Sequence, residues 1–189
     1  MAWTNTFIII VLTSCGYLNF AYAKPLPSLM EHAVLFSTWG ESSKVNVDGA
    51  NYKIQSQISQ LFYKLSVVED IRYFNFQYFG EFGYGLSNTD SDQNFTFKQS
   101  AVPVYTLGAG FSLHRPLSLG MSTGLQFEIF NRLIDFKESD ESLKIYQKEK
   151  TIFSLGIDFL FRINDQKKIN QQFSFLSEGS LKWSIGLVF

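Results

Sequence analysis

Residues 181–189 read Leu181-Lys182-Trp183-Ser184-Ile185-Gly186-Leu187-Val188-Phe189. Large apolar side chains stand at every odd position, with Lys182, Ser184, Gly186 and Val188 between them. Successive side chains on a strand point to opposite faces, so this stretch is a strand with one apolar face and one mostly small or polar face. A soluble sandwich could hold one such strand. The fold is decided by whether the rest of the chain repeats the division.

The same division recurs along the chain. Leu61, Tyr63, Leu65 and Val67 oppose Gln60, Lys64 and Ser66; Phe74, Phe76, Tyr78, Phe82 and Tyr84 oppose Asn75, Gln77, Glu81, Gly83 and Gly85. Tyr105, Leu107, Ala109, Phe111 and Leu113 alternate with Thr106, Gly108, Gly110 and Ser112. A fifth strand sets Leu117, Leu119, Met121, Thr123, Leu125, Phe127 and Ile129 against Ser118, Gly120, Ser122, Gly124, Gln126 and Glu128. A sixth sets Phe153, Leu155, Ile157, Phe159 and Phe161 against Ser154, Gly156, Asp158 and Arg162. A short seventh covers Ile169 to Leu176, and the closing strand is the eighth. The first strand, from His32 to Trp39, has poorly separated faces. Asp48-Gly49 marks a two-residue hairpin at which strands one and two meet.

No residue on the apolar face of strands two to eight is charged. A Lys or Arg facing lipid at mid-bilayer costs about 2–4 kcal/mol, which accounts for the exclusion. Short turns are expected at Glu69-Asp70, at His114-Arg115-Pro116 and over 164–168, and long polar loops over 87–100 and 131–150. The expected fold is therefore all-β: an eight-stranded, antiparallel, up-and-down transmembrane β-barrel over residues 24–189, with long loops on one side and short turns on the other. The high aromatic content, with 20 Phe and 9 Tyr, suits a lipid-facing belt around a polar interior.

The closing strand resembles the C-terminal signal of bacterial outer-membrane proteins, and the whole pattern resembles the small eight-stranded barrels of the OmpA and OmpX type. That resemblance implies an integral protein of the Gram-negative outer membrane and a monomer. It implies contact with outer-membrane lipids and lipopolysaccharide, and recognition of Leu181, Trp183, Ile185, Leu187 and Phe189 by the barrel assembly machinery. It does not select a function, because unrelated activities share this scaffold.

Residues 1–23 read as a signal peptide, with an apolar Phe7–Leu12 core and an Ala21-Tyr22-Ala23 cleavage site. Leu12-Thr13-Ser14-Cys15 also resembles a lipobox, which would make Cys15 a lipidated mature terminus. Both routes export the chain. Cys15 is the only cysteine, so cleavage after Ala23 leaves no thiol for a disulfide or thiolate metal site. A net charge of −1 gives no electrostatic case for nucleic acid.

The inward face carries Lys64, Glu81, Glu128, Asp158, Arg162 and Lys182, three acids and three bases. Buried ions must be paired or wetted, and these are expected to form a structural lumen network, together with inward Phe62, Tyr73 and Phe79. The runner-up function is a lipid A-modifying enzyme on the same barrel. His32 and His114 are both expected at the periplasmic end, away from an outer-leaflet site, and no Ser-His-Asp order is apparent. No catalytic residue, cofactor or metal site is expected. The acidic clusters Asp90/Asp92 and Asp135/Glu138/Asp140/Glu141 lack the spacing and glycine of an EF-hand loop. Asn94-Phe95-Thr96 matches a glycosylation sequon that carries no weight in this setting.

Overall fold

A computed structural model describes residues 29–47, 50–71, 74–91, 101–134, 143–144 and 149–189. The strands are β1 (Leu29–Val47), β2 (Ala50–Ile71), β3 (Phe74–Ser91), β4 (Ala101–Ser118), β5 (Met121–Ile134), β6 (Leu143–Lys144), β7 (Glu149–Arg162), β8 (Lys168–Leu176) and β9 (Leu181–Val188). Each pairs antiparallel with its neighbours, and β1 pairs both β2 and β9, so the sheet closes on itself. β6 is a two-residue addition to the far end of β1, opposite Asn46 and Val47. Eight strands form the wall, as the alternation predicts. The end at which β1 begins and β9 finishes is called the lower end below.

Parity sorts the side chains cleanly. On β4, Thr106, Ser112 and His114 are buried while Tyr105, Leu107, Phe111 and Leu113 are exposed. On β9, Lys182, Ser184 and Val188 face inward, and Leu181, Ile185, Leu187 and Phe189 outward. The polarity of the faces changes with height on β2. Near the middle and below, Leu61, Tyr63 and Leu65 face out and Lys64 and Ser66 face in. Higher up, Lys53, Gln55 and Gln57 face out and Ile54 and Ile58 are fully buried. The lower wall is thus built for lipid outside, and the upper wall for water outside over an apolar core.

Strand ends differ from the sequence expectation at several points. Glu69 and Asp70 are ladder residues opposite Phe76 and Asn75, so the turn falls at 72–73, outside the described residues along with Tyr73. His114, Arg115 and Pro116 continue β4, and Leu119–Gly120 makes the turn. Pro116 is tolerated because the ladder to β5 shifts register between Pro116 and Ser118, where a missing N–H is not needed. β5 therefore starts at Met121, and it runs on through Ile134 into a segment that reads as loop. His32 lies within β1. β1 meets β2 through the two-residue connection at 48–49, itself outside the described residues, so the first excursion consists of strand. The β8–β9 turn closes with Leu176 N–H donating to Ser180 O and Gly179 N–H to Leu176 O, both at 2.9 Å; Gly179 takes the left-handed conformation (φ 87°) that favours glycine. The leader, Cys15, the sequon and the loop acids Asp92, Asp135, Glu138, Asp140 and Glu141 lie outside the described residues.

Candidate functional site: the charged lumen

Inward parity alone brings ionisable side chains from several strands into one narrow interior. At mid-height Lys182 of β9 reaches Glu128 of β5 at 2.7 Å and Glu81 of β3 at 3.6 Å. Its ammonium lies between two aromatic faces, 4.6 Å from the centre of Phe62 and 4.8 Å from that of Phe130. Lys64 of β2 sits 3.7 Å over the ring of Phe79 and donates to Gln126 Oε1 at 3.2 Å. Gln126 donates to Glu128 (3.1 Å) and accepts from Gln172 (3.0 Å). These charges are desolvated, so they are held by ion pairing, amide hydrogen bonds and ring faces together.

Glycines make the approaches possible. A Cβ at Gly83 would lie 2.7 Å from the Phe62 ring, and one at Gly108 2.8 Å from Phe130 Cβ. A methyl group at either would push an aromatic ring off Lys182.

Below this layer a second chain of contacts reaches the lower rim. Lys168 pairs with Glu31; Glu31 accepts from Gln77 at 3.1 Å; Gln77 accepts from Ser112 at 3.2 Å. Ser112 Oγ is 2.8 Å from His114 Nε2, and Asp158 Oδ2 is 3.3 Å from the same nitrogen. Ser, His and Asp do meet here, which the sequence order concealed. They do not form a catalytic triad: serine and aspartate crowd one ring nitrogen, whereas a triad needs the carboxylate on the other. His114 and Asp158 are both buried from solvent.

Above the Lys182 layer the interior is largely apolar, with Gln60 buried in it, donating to Val104 O at 3.0 Å and accepting from Thr106 at 2.7 Å. Trp39, Ile54, Ile58, Phe62, Val104, Phe130, Ile134 and Ile152 are all at most 1% exposed. Trp39 meets Phe130 edge to face with ring centres 6.0 Å apart. A last polar cluster caps this layer. Arg132 forks onto Glu41, with Nε donating to Oε2 at 3.0 Å, and Lys150 pairs with Glu178 and lies 3.8 Å from Glu41.

Of the six expected lumen charges, Lys64, Glu81, Glu128, Asp158 and Lys182 are inside. Arg162 is not. It is the last residue of β7, half exposed at the lower rim, and bonds Asp165 in the next turn at 2.7 Å. Parity points it inward, but there the wall has ended. Seven ionisable groups of these clusters are not among the expected six: Glu31, Glu41, His114, Arg132, Lys150, Lys168 and Glu178. Extending the strand parities to their true ends finds all but Glu178, which lies in the β8–β9 turn. Among the described residues no group of three or more His, Cys, Asp or Glu is placed to hold a metal ion.

No protein-family model and no curated protein sequence matches the chain. Among solved structures, Ail, the attachment invasion locus protein of Yersinia pestis, in complex with the heparin analogue sucrose octasulfate, aligns with a TM-score of 0.50. The alignment covers 85% of this chain and 100% of that chain. The chain has the fold of the small eight-stranded outer-membrane β-barrels. Neisserial surface protein A aligns over 84% of this chain and 95% of its own, at 11% identity and a TM-score of 0.45. At 13% identity even the Ail likeness is one of fold alone.

Proposed function

We propose that this chain is an integral outer-membrane barrel with a sealed lumen, serving a structural or surface-interaction role through its upper end, and not an enzyme. The observation that carries the reading is the apolar layer from Trp39 to Ile152, which lies across the interior above the Lys182 pairings. Ions lose their hydration in such a layer, and hydrophobic constrictions in pores block conduction by excluding water. An eight-stranded interior is just wide enough for its own side chains, whereas aqueous porin channels use about 16 strands. The lumen charges would then be a structural network, and Leu181, Trp183, Ile185, Leu187 and Phe189 the strand face offered to the assembly machinery. Outer-membrane lipids and lipopolysaccharide would surround a monomer.

Purified protein in planar bilayers tests the seal. The wild type should give no discrete, stable conductance, and Trp39→Ala combined with Phe130→Ala should give small currents. Reproducible nanosiemens steps from the wild type, abolished by heating, would overturn the reading.

A further inference from the structure

The barrel closes where its first and last strands meet, and that ladder is short. β1 and β9 pair only from Ala33–Val188 to Trp39–Lys182, seven register pairs, whereas the β1–β2 ladder runs the full 19 residues of β1. Opening of the barrel should begin at β9, whose ladders are short on both sides, seven register pairs to β1 and eight to β8. The β1 side is where the two ends of the wall meet. The upper end of the seam is backed by Trp39 and by Lys182 with its carboxylates. At the lower end the inward residues Ala33 and Val188 are small, and the interior tie is the pair of Glu31 on β1 with Lys168 on β8.

His32 adds a tie on the outer face. Its backbone exchanges two hydrogen bonds with Phe189, at 2.8 and 2.9 Å, adding a rung below Val188. Its ring lies within 9° of parallel to the Phe189 ring, centres 6.5 Å apart. Its Nδ1 lies 2.5 Å from the hydroxyl of Tyr63, diagonally across on β2. One side chain thus ties the shortest ladder to the longest, on the outer face, across three adjacent strands.

We propose that His32 is a seam latch, joining Phe189 of β9 to Tyr63 of β2 and setting how readily the closed barrel opens from its lower end. The contact exists only when the two ends of the wall are together, so it reports and secures closure. The latch depends on β9 closing on β1, and not on whether an assembly factor reads β9.

Hydrogen exchange of the refolded full chain, read amide by amide, tests the latch. In His32→Ala the amides of Phe189, Leu187 and Val34, which donate across the seam because hydrogen-bonded pairs alternate from His32–Phe189, should exchange about tenfold faster, from loss of a ring pair and a hydrogen bond. Amides of the β3–β4 ladder around Phe82 and Leu107 should keep their rates. Tyr63→Phe, which removes one hydroxyl and threatens no folding, should accelerate the same seam amides about threefold, and Tyr84→Phe at the upper wall should not. In a Phe189→Ala background, His32→Ala should have only the residual Tyr63 effect. Seam rates unchanged in Tyr63→Phe would overturn the latch. So would an acceleration in His32→Ala that is equal in β3–β4 and at the seam, since that would make His32 an ordinary contributor to global stability.

Discussion

Lys182→Met is the sharpest perturbation of the lumen. The ammonium it removes is the shared partner of Glu128, at 2.7 Å, and Glu81, at 3.6 Å, and both carboxylates are almost fully buried. Breaking a buried ion pair from one side costs about 3–5 kcal/mol, because the remaining charge is left uncompensated. Two carboxylates share this cation, which argues for the upper part of that range, although Lys64, paired across the ladder with Glu81, remains. Against it, Gln126 still donates to Glu128, and a methionine thioether can pack between Phe62 and Phe130 for about 0.3–1.5 kcal/mol. The expected net loss is about 3–4 kcal/mol. Urea unfolding in lipid vesicles, followed by tryptophan fluorescence and by the unheated gel shift, measures it. Adding Glu128→Gln removes one orphaned charge and should return about half of the loss. A loss below about 1 kcal/mol in the single variant, or no recovery in the double, would show that Lys182 is hydrated and the network does not hold the barrel.

Three further outcomes follow from the same geometry. Gly124→Ala should destabilise by about 1–3 kcal/mol on urea unfolding, because the new Cβ would lie 2.5 Å from Asp158 Oδ1 and 2.8 Å from His114 Nδ1. Asp158→Ala should cost less than Lys182→Met in the same assay, since its near partner is His114 and not a lysine or Arg162. Ile185→Arg, which puts a cation on the lipid face opposite Phe36, should cost about 2–4 kcal/mol and lower the folded amount recovered from membranes.

Strand count, closure and face assignment were legible because a lipid-facing wall enforces one rule at every second residue. The rule weakens where the surroundings change. β1 looked ambiguous since Leu35 and Trp39 face inward while Val34 and Phe36 face outward. Apolar residues occupy both faces wherever an apolar core meets a lipid-facing wall. Arg132 and Glu41 were missed for a related reason. They lie at or above the level where the outer face turns polar, and the β5 segment around Arg132 reads as loop by composition. Arg162 misled in the opposite direction, because parity continues in the sequence after the wall has stopped. Ser112, His114 and Asp158 meet through pairings across β4, β5 and β7, a juxtaposition that no spacing along the chain encodes.

A closed barrel standing in lipid has a parity that can be read directly. The chain after Cys15 contains no cysteine, so single cysteines placed one at a time over 104–113 of β4 can carry an environment-sensitive fluorophore. In vesicles containing lipid-borne quenchers, labels at 105, 107, 109, 111 and 113 should be quenched strongly and those at 104, 106, 108, 110 and 112 weakly. On β2, labels at 53, 55 and 57 should escape quenching although they point outward. Quenching without the two-residue period, or a chain that leaves the vesicles on washing, would contradict the account.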